Sequence, residues 1–286
     1  MFESFENYRI PVGATTINVM RAGAGSPLLL LHGYPQTLAM WHQIAPGLAE
    51  HHTVVAADLR GYGDSTAPTD NDYSFRAMAD DQLTVMRTLG FDRFAVAGHD
   101  RGARTAHRMA LDHPDSIDRM AVLDIVPTRH VLAHVDRRLA SRYYHWFFLS
   151  QPEDLPERLI GGDPLLYLHR ALGGLGTGLD AFAPEALAEY ERCFDATTVH
   201  AICEDYRAAI GVDQEHDEAD RGRRIEQPLL VLWGANGVVG GLHEPLQVWR
   251  EYAVDVRGAA LDAGHFLVEE RPAQTLDELR AFLLAG

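Results

Sequence analysis

The alternation of short apolar runs with longer amphipathic stretches predicts a mostly parallel sheet covered by helices. Apolar runs bounded by turn formers are typical of buried strands. The predicted strands are 17–20, 27–31, 53–57, 94–98, 119–125, 228–233 and 258–261. Helical periodicity follows several of them, at 74–89, from 103 onward, at 245–252 and at 273–284. Strands that alternate with helices in this way indicate an α/β fold.

The strand rhythm stops between residues 128 and 225. Helical patterns dominate there, at 140–149, 164–172, 184–194 and 199–210, with no convincing strand among them. We therefore expect a core domain made of 1–127 and 226–286, with an inserted all-helical cap domain, or lid, at 128–225. The charged run 213–224 is predicted to be a solvated exit from the cap.

Composition narrows the classes of partner. The 286 residues are 47% hydrophobic, enough for one large domain or for a core with an insertion. The formal net charge of −16 argues against nucleic acid or an anionic membrane as partner. It does not argue against a small anionic substrate, because local arginines can make the potential of one pocket positive. Because the sequence has neither a signal-peptide pattern nor a long apolar segment, we expect a soluble cytoplasmic protein.

The cysteines and histidines give no metal pattern. Cys193 and Cys203 are too few for a disulfide framework, and we expect them to be buried free thiols. None of the 15 histidines falls in His-Glu-x-x-His spacing, and no cysteine pair has zinc-ribbon spacing. We expect no metal site and no cofactor.

The residues around Asp100 carry the clearest chemical pattern. Gly98 and Gly102 stand two positions either side of it, between a predicted strand and a predicted helix, which is the spacing of a nucleophile elbow. A carboxylate in that place is already ionised at neutral pH, attacks carbon that carries a leaving group, and becomes an ester. The pattern predicts alkyl-enzyme chemistry. An ordinary turn capped by Asp remains the alternative on these residues alone.

Three further segments supply candidate partners for Asp100. The loop after the second predicted strand, at Gly33 and Tyr34, can direct backbone N–H groups at a developing negative charge. His265, after the last strand, is the candidate general base. No carboxylate occurs at 234–239, so Asp124, one strand earlier, is the candidate acid. The alternatives are a plain turn, a packing histidine and a helix-capping Asp.

Two arginines follow the candidate nucleophile. Arg101 is adjacent to it, and Arg104 lies about one helical turn further on. Two guanidinium groups beside a carboxylate nucleophile make sense if the substrate brings its own carboxylate, which they would bind and orient. The alternative is a pair of salt-bridging arginines on a helix surface.

Taken in order, these landmarks resemble the α/β-hydrolase superfamily over essentially the whole chain. They are the loop at His32, the Arg-Gly-x-Gly-x-Ser loop at Arg60, the elbow, the helical insertion and Gly264-His265. The resemblance implies a doubly covered, mostly parallel sheet with a cap, and a catalytic triad of Asp100, His265 and Asp124.

The Asp-Arg-x-x-Arg segment at 100–104 is similar to the haloacetate (fluoroacetate) dehalogenase family. That resemblance implies hydrolysis of short 2-haloacids, fluoroacetate to glycolate and fluoride among them, through SN2 attack by Asp100 and an ester hydrolysed by water that His265 activates. It also implies a homodimer. The remaining roles it implies are carboxylate binding by Arg101 and Arg104, halide binding by His145, Trp146 and Tyr206, and an oxyanion hole from the backbone N–H groups of Tyr34 and Arg101.

Other activities remain open on the sequence. An epoxide hydrolase uses the same nucleophile and base, and Tyr206 with Tyr143 or Tyr144 could protonate the ring oxygen, but a neutral epoxide has no use for two arginines. A non-catalytic binder of small carboxylates is another alternative, and an ester hydrolase is disfavoured because the elbow has no Ser. Tyr34 departs from the Phe expected in the dehalogenases, and its hydroxyl could alter how a substrate larger than acetate fits.

Overall fold

The computed structural model describes residues 1–285 and contains one sheet of eight strands in the order β1-β2-β4-β3-β5-β6-β7-β8. β1 and β2 pair antiparallel, β2 also pairs antiparallel with β4, and every other neighbouring pair is parallel. The strands are β1 Glu6–Val12, β2 Thr15–Ala22, β3 Ser26–Leu31, β4 His52–Ala57, β5 Phe94–His99, β6 Ile117–Leu123, β7 Leu229–Gly234 and β8 Val256–Leu261.

Fifteen α-helices connect and cover the strands within residues 1–285. They are α1 Ala45–Ala49, α2 Phe75–Thr88, α3 Arg101–Asp112, α4 Thr128–Ala133, α5 Arg137–Arg142, α6 Tyr144–Leu149, α7 Leu155–Ile160, α8 Pro164–Leu175, α9 Pro184–Cys193, α10 Ala196–Ile210, α11 Val212–Ala219, α12 Val238–Leu242, α13 Pro245–Tyr252, α14 Leu267–Glu270 and α15 Pro272–Leu283. Short 3₁₀ helices occur at Leu38–Trp41, Pro114–Ser116 and Leu179–Ala181.

The middle of the sheet is buried on both faces and sets the position of the functional loops. Leu28 to Leu31 of β3 have no exposed surface, as expected for a central parallel strand. In the register of the sheet Leu31 lies opposite Ala57 of β4 and Gly98 of β5. The carboxyl ends of β3, β4 and β5 therefore meet at one edge, where the loops that follow them come together.

The segment between β6 and β7 is helical. Among the described residues no strand lies between 124 and 228, and α4 to α11 fill this segment, which we call the cap segment (128–225). Several of its helices begin at an Asp whose carboxylate accepts a backbone N–H, such as Asp163 before α8, where Pro164 takes the first helical position. The division into a core domain and a cap domain stays a prediction.

The predicted α/β class is confirmed, with differences in detail. The sequence patterns do not predict β1, an edge strand in which only Ile10 and Val12 are buried and Pro11 interrupts the alternation. The helix predicted at 140–149 is two helices, α5 and α6, that meet at Tyr143. The charged segment 213–224 is mostly accessible to solvent, as predicted, but its first half belongs to α11, and Asp213 is buried and accepts the N–H of Phe75 at 3.0 Å.

Two other sequence expectations can be compared with the structure. Cys193 and Cys203 are both free and buried, as predicted, and burial raises the pKa of each thiol. Within residues 1–285, no helix combines the length and the apolar character that crossing a bilayer requires.

Candidate active site

Asp100 lies in the sharp turn between β5 and α3. Its backbone has φ 44° and ψ −111°, a strained conformation for a residue with a side chain. A Cβ atom on Gly98 would lie 2.5 Å from the backbone of Gly102, and one on Gly102 would lie 2.4 Å from the carbonyl oxygen of His32. Only glycine fits at both positions. The sequence spacing thus corresponds to a real steric requirement of the elbow.

The loop after β3 contacts the carboxylate of Asp100. The backbone N–H of Tyr34 donates to Asp100 Oδ2 at 3.1 Å. Gly33 permits this approach, because a Cβ atom there would lie 2.5 Å from Asp100 Cβ. Arg101 begins α3, so its N–H has no intrahelical partner and adjoins the same carboxylate along the chain. The two N–H groups predicted to form an oxyanion hole are therefore both beside Asp100.

His265 and Asp124 form a buried pair. His265 Nδ1 donates to Asp124 Oδ2 at 2.6 Å, which leaves Nε2 as the free ring nitrogen. The other carboxylate oxygen, Oδ1, accepts the N–H of Gly234 at 2.9 Å. Asp124 follows β6 directly and has a positive φ of 52°, a strained conformation for a residue with a side chain. Residues 234–239 contain no carboxylate. Asp124, which follows β6, supplies one instead and contacts the first residue of that segment, Gly234.

A second carboxylate holds the loop that carries His265. Glu270 accepts the N–H of Gly264 at 2.6 Å and the N–H of Phe266 at 3.1 Å, one on each side of the histidine. His99, the residue before Asp100, donates through Nε2 to the carbonyl oxygen of His265 at 2.8 Å. The side chain of His99 therefore links the elbow to the backbone of the histidine loop.

Arg101 is bound by an acid of the cap segment. Its guanidinium donates through Nε to Asp205 Oδ2 at 2.8 Å and through Nη2 to both Oδ1 and the carbonyl oxygen of Asp205. Tyr62 donates to the same carboxylate at 2.7 Å. Within residues 1–285, Nη1 of Arg101 is buried and has no hydrogen-bond partner.

Arg104 approaches Asp100 from the helix side. Its Nη1 donates to the carbonyl oxygen of Val126 at 3.0 Å and to Thr128 Oγ1 at 2.9 Å. Its Nε lies 3.9 Å from Asp100 Oδ1 and has no hydrogen-bond partner in the part of the chain that the structure describes. The two arginines are buried, so the surface salt-bridge alternative does not apply to them.

Aromatic residues of the cap segment cover the arginines. The ring of Tyr206 lies 4.3 Å from the guanidinium carbon of Arg101, and the ring of Trp146 lies 4.7 Å from that of Arg104. The centroids of His145 and Tyr206 are 5.8 Å apart. Tyr206 is buried, and its hydroxyl has no hydrogen-bond partner among residues 1–285. Of the residues predicted to bind halide, Tyr206 and Trp146 thus pack on the two arginines, and His145 packs on Tyr206.

Burial and charge set the protonation of the site. Burial raises the pKa of Asp100, but the positive charges of His265, Arg104 and Arg101 outweigh it, and the pKa lies below its ordinary value. Burial lowers the pKa of His265, but the hydrogen bond and charge of Asp124 and the charge of Asp100 outweigh it, so this pKa is raised. Burial lowers the pKa of His145 to about 3, which keeps its ring neutral at pH 7.

The sequence did not reveal Asp205, Tyr62, Glu270 or the side-chain contact of Tyr34. Asp205 adjoins Tyr206 in the sequence, but its partner Arg101 is 104 residues away. Tyr34 stacks on His145 with centroids 5.5 Å apart and donates to Tyr167 Oη at 3.2 Å. Local patterns carry no signal for contacts between the core and the cap segment.

A group of three metal-type ligands exists elsewhere in the described chain. Asp154, Glu157 and His200 lie close together in the cap segment, at α7 and α10. Glu157 already accepts two hydrogen bonds from Arg207, at 2.6 and 3.0 Å. None of these residues belongs to the candidate active site.

Comparison with known proteins identifies relatives over the whole chain. Residues 26–272 match the family model described as the alpha/beta hydrolase fold. The chain is 50% identical to the fluoroacetate dehalogenase of Burkholderia sp over 289 aligned residues, which cover 99% of this chain and 95% of that protein. It is 32% identical to the soluble epoxide hydrolase of Corynebacterium sp. (strain C12), with coverage of 99% and 98%. The crystal structure of an alpha/beta hydrolase from Nostoc sp PCC 7120 is 52% identical, with a TM-score of 0.98 and complete coverage of both chains.

Proposed function

Because the chain belongs to the fluoroacetate dehalogenase family of the α/β hydrolases, we propose that it hydrolyses short 2-haloacids, and fluoroacetate in particular to glycolate and fluoride. The observation that carries the proposal is a buried carboxylate at the elbow beside two guanidinium groups, each with an N–H that has no partner among residues 1–285. An anionic substrate fits this arrangement. The identity to the dehalogenase, 50% against 32% for the epoxide hydrolase, favours the same activity.

The first half of the reaction makes an ester. The substrate carboxylate accepts hydrogen bonds from Nη1 of Arg101 and Nε of Arg104, which directs C2 toward an oxygen of Asp100. That oxygen forms a bond to C2 with inversion as the carbon–halogen bond breaks, and the electron pair leaves with the halide. The low pKa of Asp100 keeps the nucleophile ionised at neutral pH.

The departing halide needs donors that replace its hydration. The indole N–H of Trp146, the hydroxyl of Tyr206 and one ring N–H of neutral His145 supply them. Their rings pack against one another and against Arg101 and Arg104, which limits their movement. Donors that are held in place cost little reorganisation when fluoride, a poor leaving group, departs.

The second half hydrolyses the ester. Nε2 of His265 removes a proton from water, and the resulting hydroxide attacks Cγ of Asp100. The N–H groups of Tyr34 and Arg101 stabilise the oxyanion. Glycolate leaves with the proton held by the His265 imidazolium, and the carboxylate re-forms with one oxygen from the water and releases the second water proton. Asp124 keeps the Nδ1–H tautomer of His265 and stabilises the imidazolium that forms. Overall, haloacid and water give hydroxyacid, halide and a proton.

Halide release tests the proposal. Purified protein with fluoroacetate and with chloroacetate at neutral pH is expected to release fluoride and chloride, and Asp100→Asn is expected to release neither. In Tyr206→Phe, fluoride release should fall more than chloride release, because fluoride depends more on hydrogen-bond donors. Release of chloride without release of fluoride would support the roles of Asp100 and the two arginines. It would contradict the proposal that His145, Trp146 and Tyr206 bind fluoride. Diol formation from styrene oxide without halide release would replace the proposal with an epoxide hydrolase.

The family resemblance also supports a homodimer, and we include in the proposal both the homodimer and a location in the cytoplasm. Sedimentation equilibrium of the purified protein tests the first, with a mass near twice 31.7 kDa expected. Fractionation of the producing cells tests the second. A monomeric mass would remove the dimer without affecting the proposed chemistry, because every proposed catalytic and binding group comes from one chain.

A further inference from the structure

A cavity lies beside the candidate active site. It has a volume of about 550 Å³, and Tyr34 and His145 form part of its wall. Arg142 and Arg170, both exposed, line it from α5 and α8. We call this cavity the outer pocket. Tyr34 and His145 therefore belong both to the wall of the outer pocket and to the surroundings of Asp100 and Tyr206.

The helices around the outer pocket contain arginines but no acidic residues. α5, α6 and α8 contain no Asp or Glu, although the whole chain has a formal net charge of −16. Asp136 and Asp163 precede α5 and α8, but each uses its carboxylate to accept a backbone N–H of the helix. The arginines on the three helices are Arg137, Arg138, Arg142 and Arg170.

These arginines are free of ion pairs. Within residues 1–285, no carboxylate oxygen lies within 4.0 Å of any of the four guanidinium groups, whereas elsewhere in the molecule most buried and many exposed arginines are paired. No Asp or Glu is among the residues that line the outer pocket in the described chain, and His169 of its wall is hydrogen-bonded to Glu191 at 2.7 Å. The outer pocket is therefore locally positive in an acidic protein.

We propose that the outer pocket is a second anion-binding site, in which Arg142 and Arg170 bind small monocarboxylates. The ligands are the haloacid before it passes Tyr34 and His145, and the hydroxyacid after it leaves Asp100. This assignment rests on the proposed function, since it takes its ligand from it.

The physical reason is that the active site is closed and the protein as a whole repels anions. Asp100 is 5% exposed, and Arg101 and Tyr206 are fully buried, so a substrate does not reach them directly from solvent. Fixed positive charges in a concave site raise the local concentration of anions. At a separation of roughly 10 Å in water, one charge changes the local concentration of a monovalent anion by about twofold before screening.

Kinetics with chloroacetate at low ionic strength test the site. The double variant Arg142→Gln/Arg170→Gln should raise KM by about three- to fivefold and leave kcat unchanged, and the increase should disappear in about 0.5 M salt. Arg158→Gln is the matched control, because Arg158 is an exposed cap-segment arginine that does not line the pocket. Arg142→Lys/Arg170→Lys should keep the wild-type KM, because the effect depends on charge.

Two kinetic results would overturn the assignment. One is a KM in the double Gln variant that equals that of Arg158→Gln. The other is a fall in kcat at constant KM, which would mean that the arginines hold the cap segment in place and do not bind substrate.

A binding measurement separates this assignment from the proposed function. In NMR titrations with acetate, the backbone amides of Ser141 and Gly174, which line the outer pocket, should shift in the wild type and not in the double Gln variant. This readout needs no turnover. If the wild type releases no halide but these amides shift, the proposed function fails and the outer site stands. If halide is released but the amides do not shift, the outer site fails alone.

Discussion

Replacing Asp205 by Asn tests whether the cap segment positions Arg101. The carboxylate of Asp205 is fully buried and accepts hydrogen bonds from Nε and Nη2 of Arg101 and from the hydroxyl of Tyr62. Asn is nearly isosteric, but it has one acceptor oxygen in place of two, and its NH₂ group must face a donor. The substitution therefore removes the negative charge and at least one hydrogen bond without creating a cavity.

The expected loss of stability follows from burial. Removing one partner of a buried ion pair costs about 3–5 kcal/mol, because the remaining charge is left uncompensated. Hydrogen bonds to charged groups contribute about 1.5–3 kcal/mol each, which gives a similar figure for the bonds lost here. A domain is stable by about 5–15 kcal/mol, so the variant should still fold but with a clearly lower free energy of unfolding.

Urea unfolding compares Asp205→Asn with Glu204→Gln. Glu204 is the adjacent carboxylate, and its hydrogen bond to Arg207 is only partly buried, so its substitution should cost no more than about 1 kcal/mol. Acetate should then stabilise Asp205→Asn more than wild type, because its carboxylate partly replaces the missing charge beside Arg101. Equal stability of the two variants, or no difference in acetate stabilisation, would refute the role of Asp205.

Three further predictions concern the reaction and the contact of Tyr34 with the cap segment. His265→Gln should release about one halide per active site and then stop, with the peptide containing Asp100 heavier by about 58 Da, the mass that a carboxymethyl ester adds. Continuous halide release would contradict the role of His265. In NMR titrations the pKa of His265 should lie above its ordinary value of 6.5 in wild type and lower in Asp100→Asn, because one negative charge is gone; identical midpoints would contradict it. Tyr34→Phe removes the hydrogen bond to Tyr167 and should lower the free energy of unfolding by about 1 kcal/mol. It should not reduce kcat for chloroacetate, since the backbone N–H that contacts Asp100 stays. A large fall in kcat would mean that the hydroxyl takes part in the reaction.

The parts of the site that are local in sequence could be predicted from it. The elbow follows from Gly98 and Gly102, because only glycine fits the contacts of that turn. The pairing of His265 with Asp124 could be predicted from chain order once the parallel sheet was inferred, since both residues follow the carboxyl ends of strands.

Contacts between the cap segment and the core could not be predicted in the same way. Asp205 binds Arg101 only because α10 packs over the elbow, and no spacing rule relates two residues that are 104 positions apart. The same reason explains why the burial of Asp213 was not predicted. The charged residues of 213–224 predicted solvation, which holds for the rest of the segment, but Asp213 accepts the N–H of Phe75 from across the fold, which no local pattern records.

The electrostatics of the site link the two halves of the proposed reaction. In the free enzyme the negative charge of Asp100 helps to raise the pKa of His265, while the positive charge near Asp100 lowers the pKa of the nucleophile. Forming the ester neutralises Asp100, so His265 loses one of the charges that favour its protonated form. Its pKa then falls at the step where a neutral imidazole is needed to activate water. A carboxylate nucleophile thus changes the basicity of its own partner, which a neutral serine at the elbow would not do before it reacts.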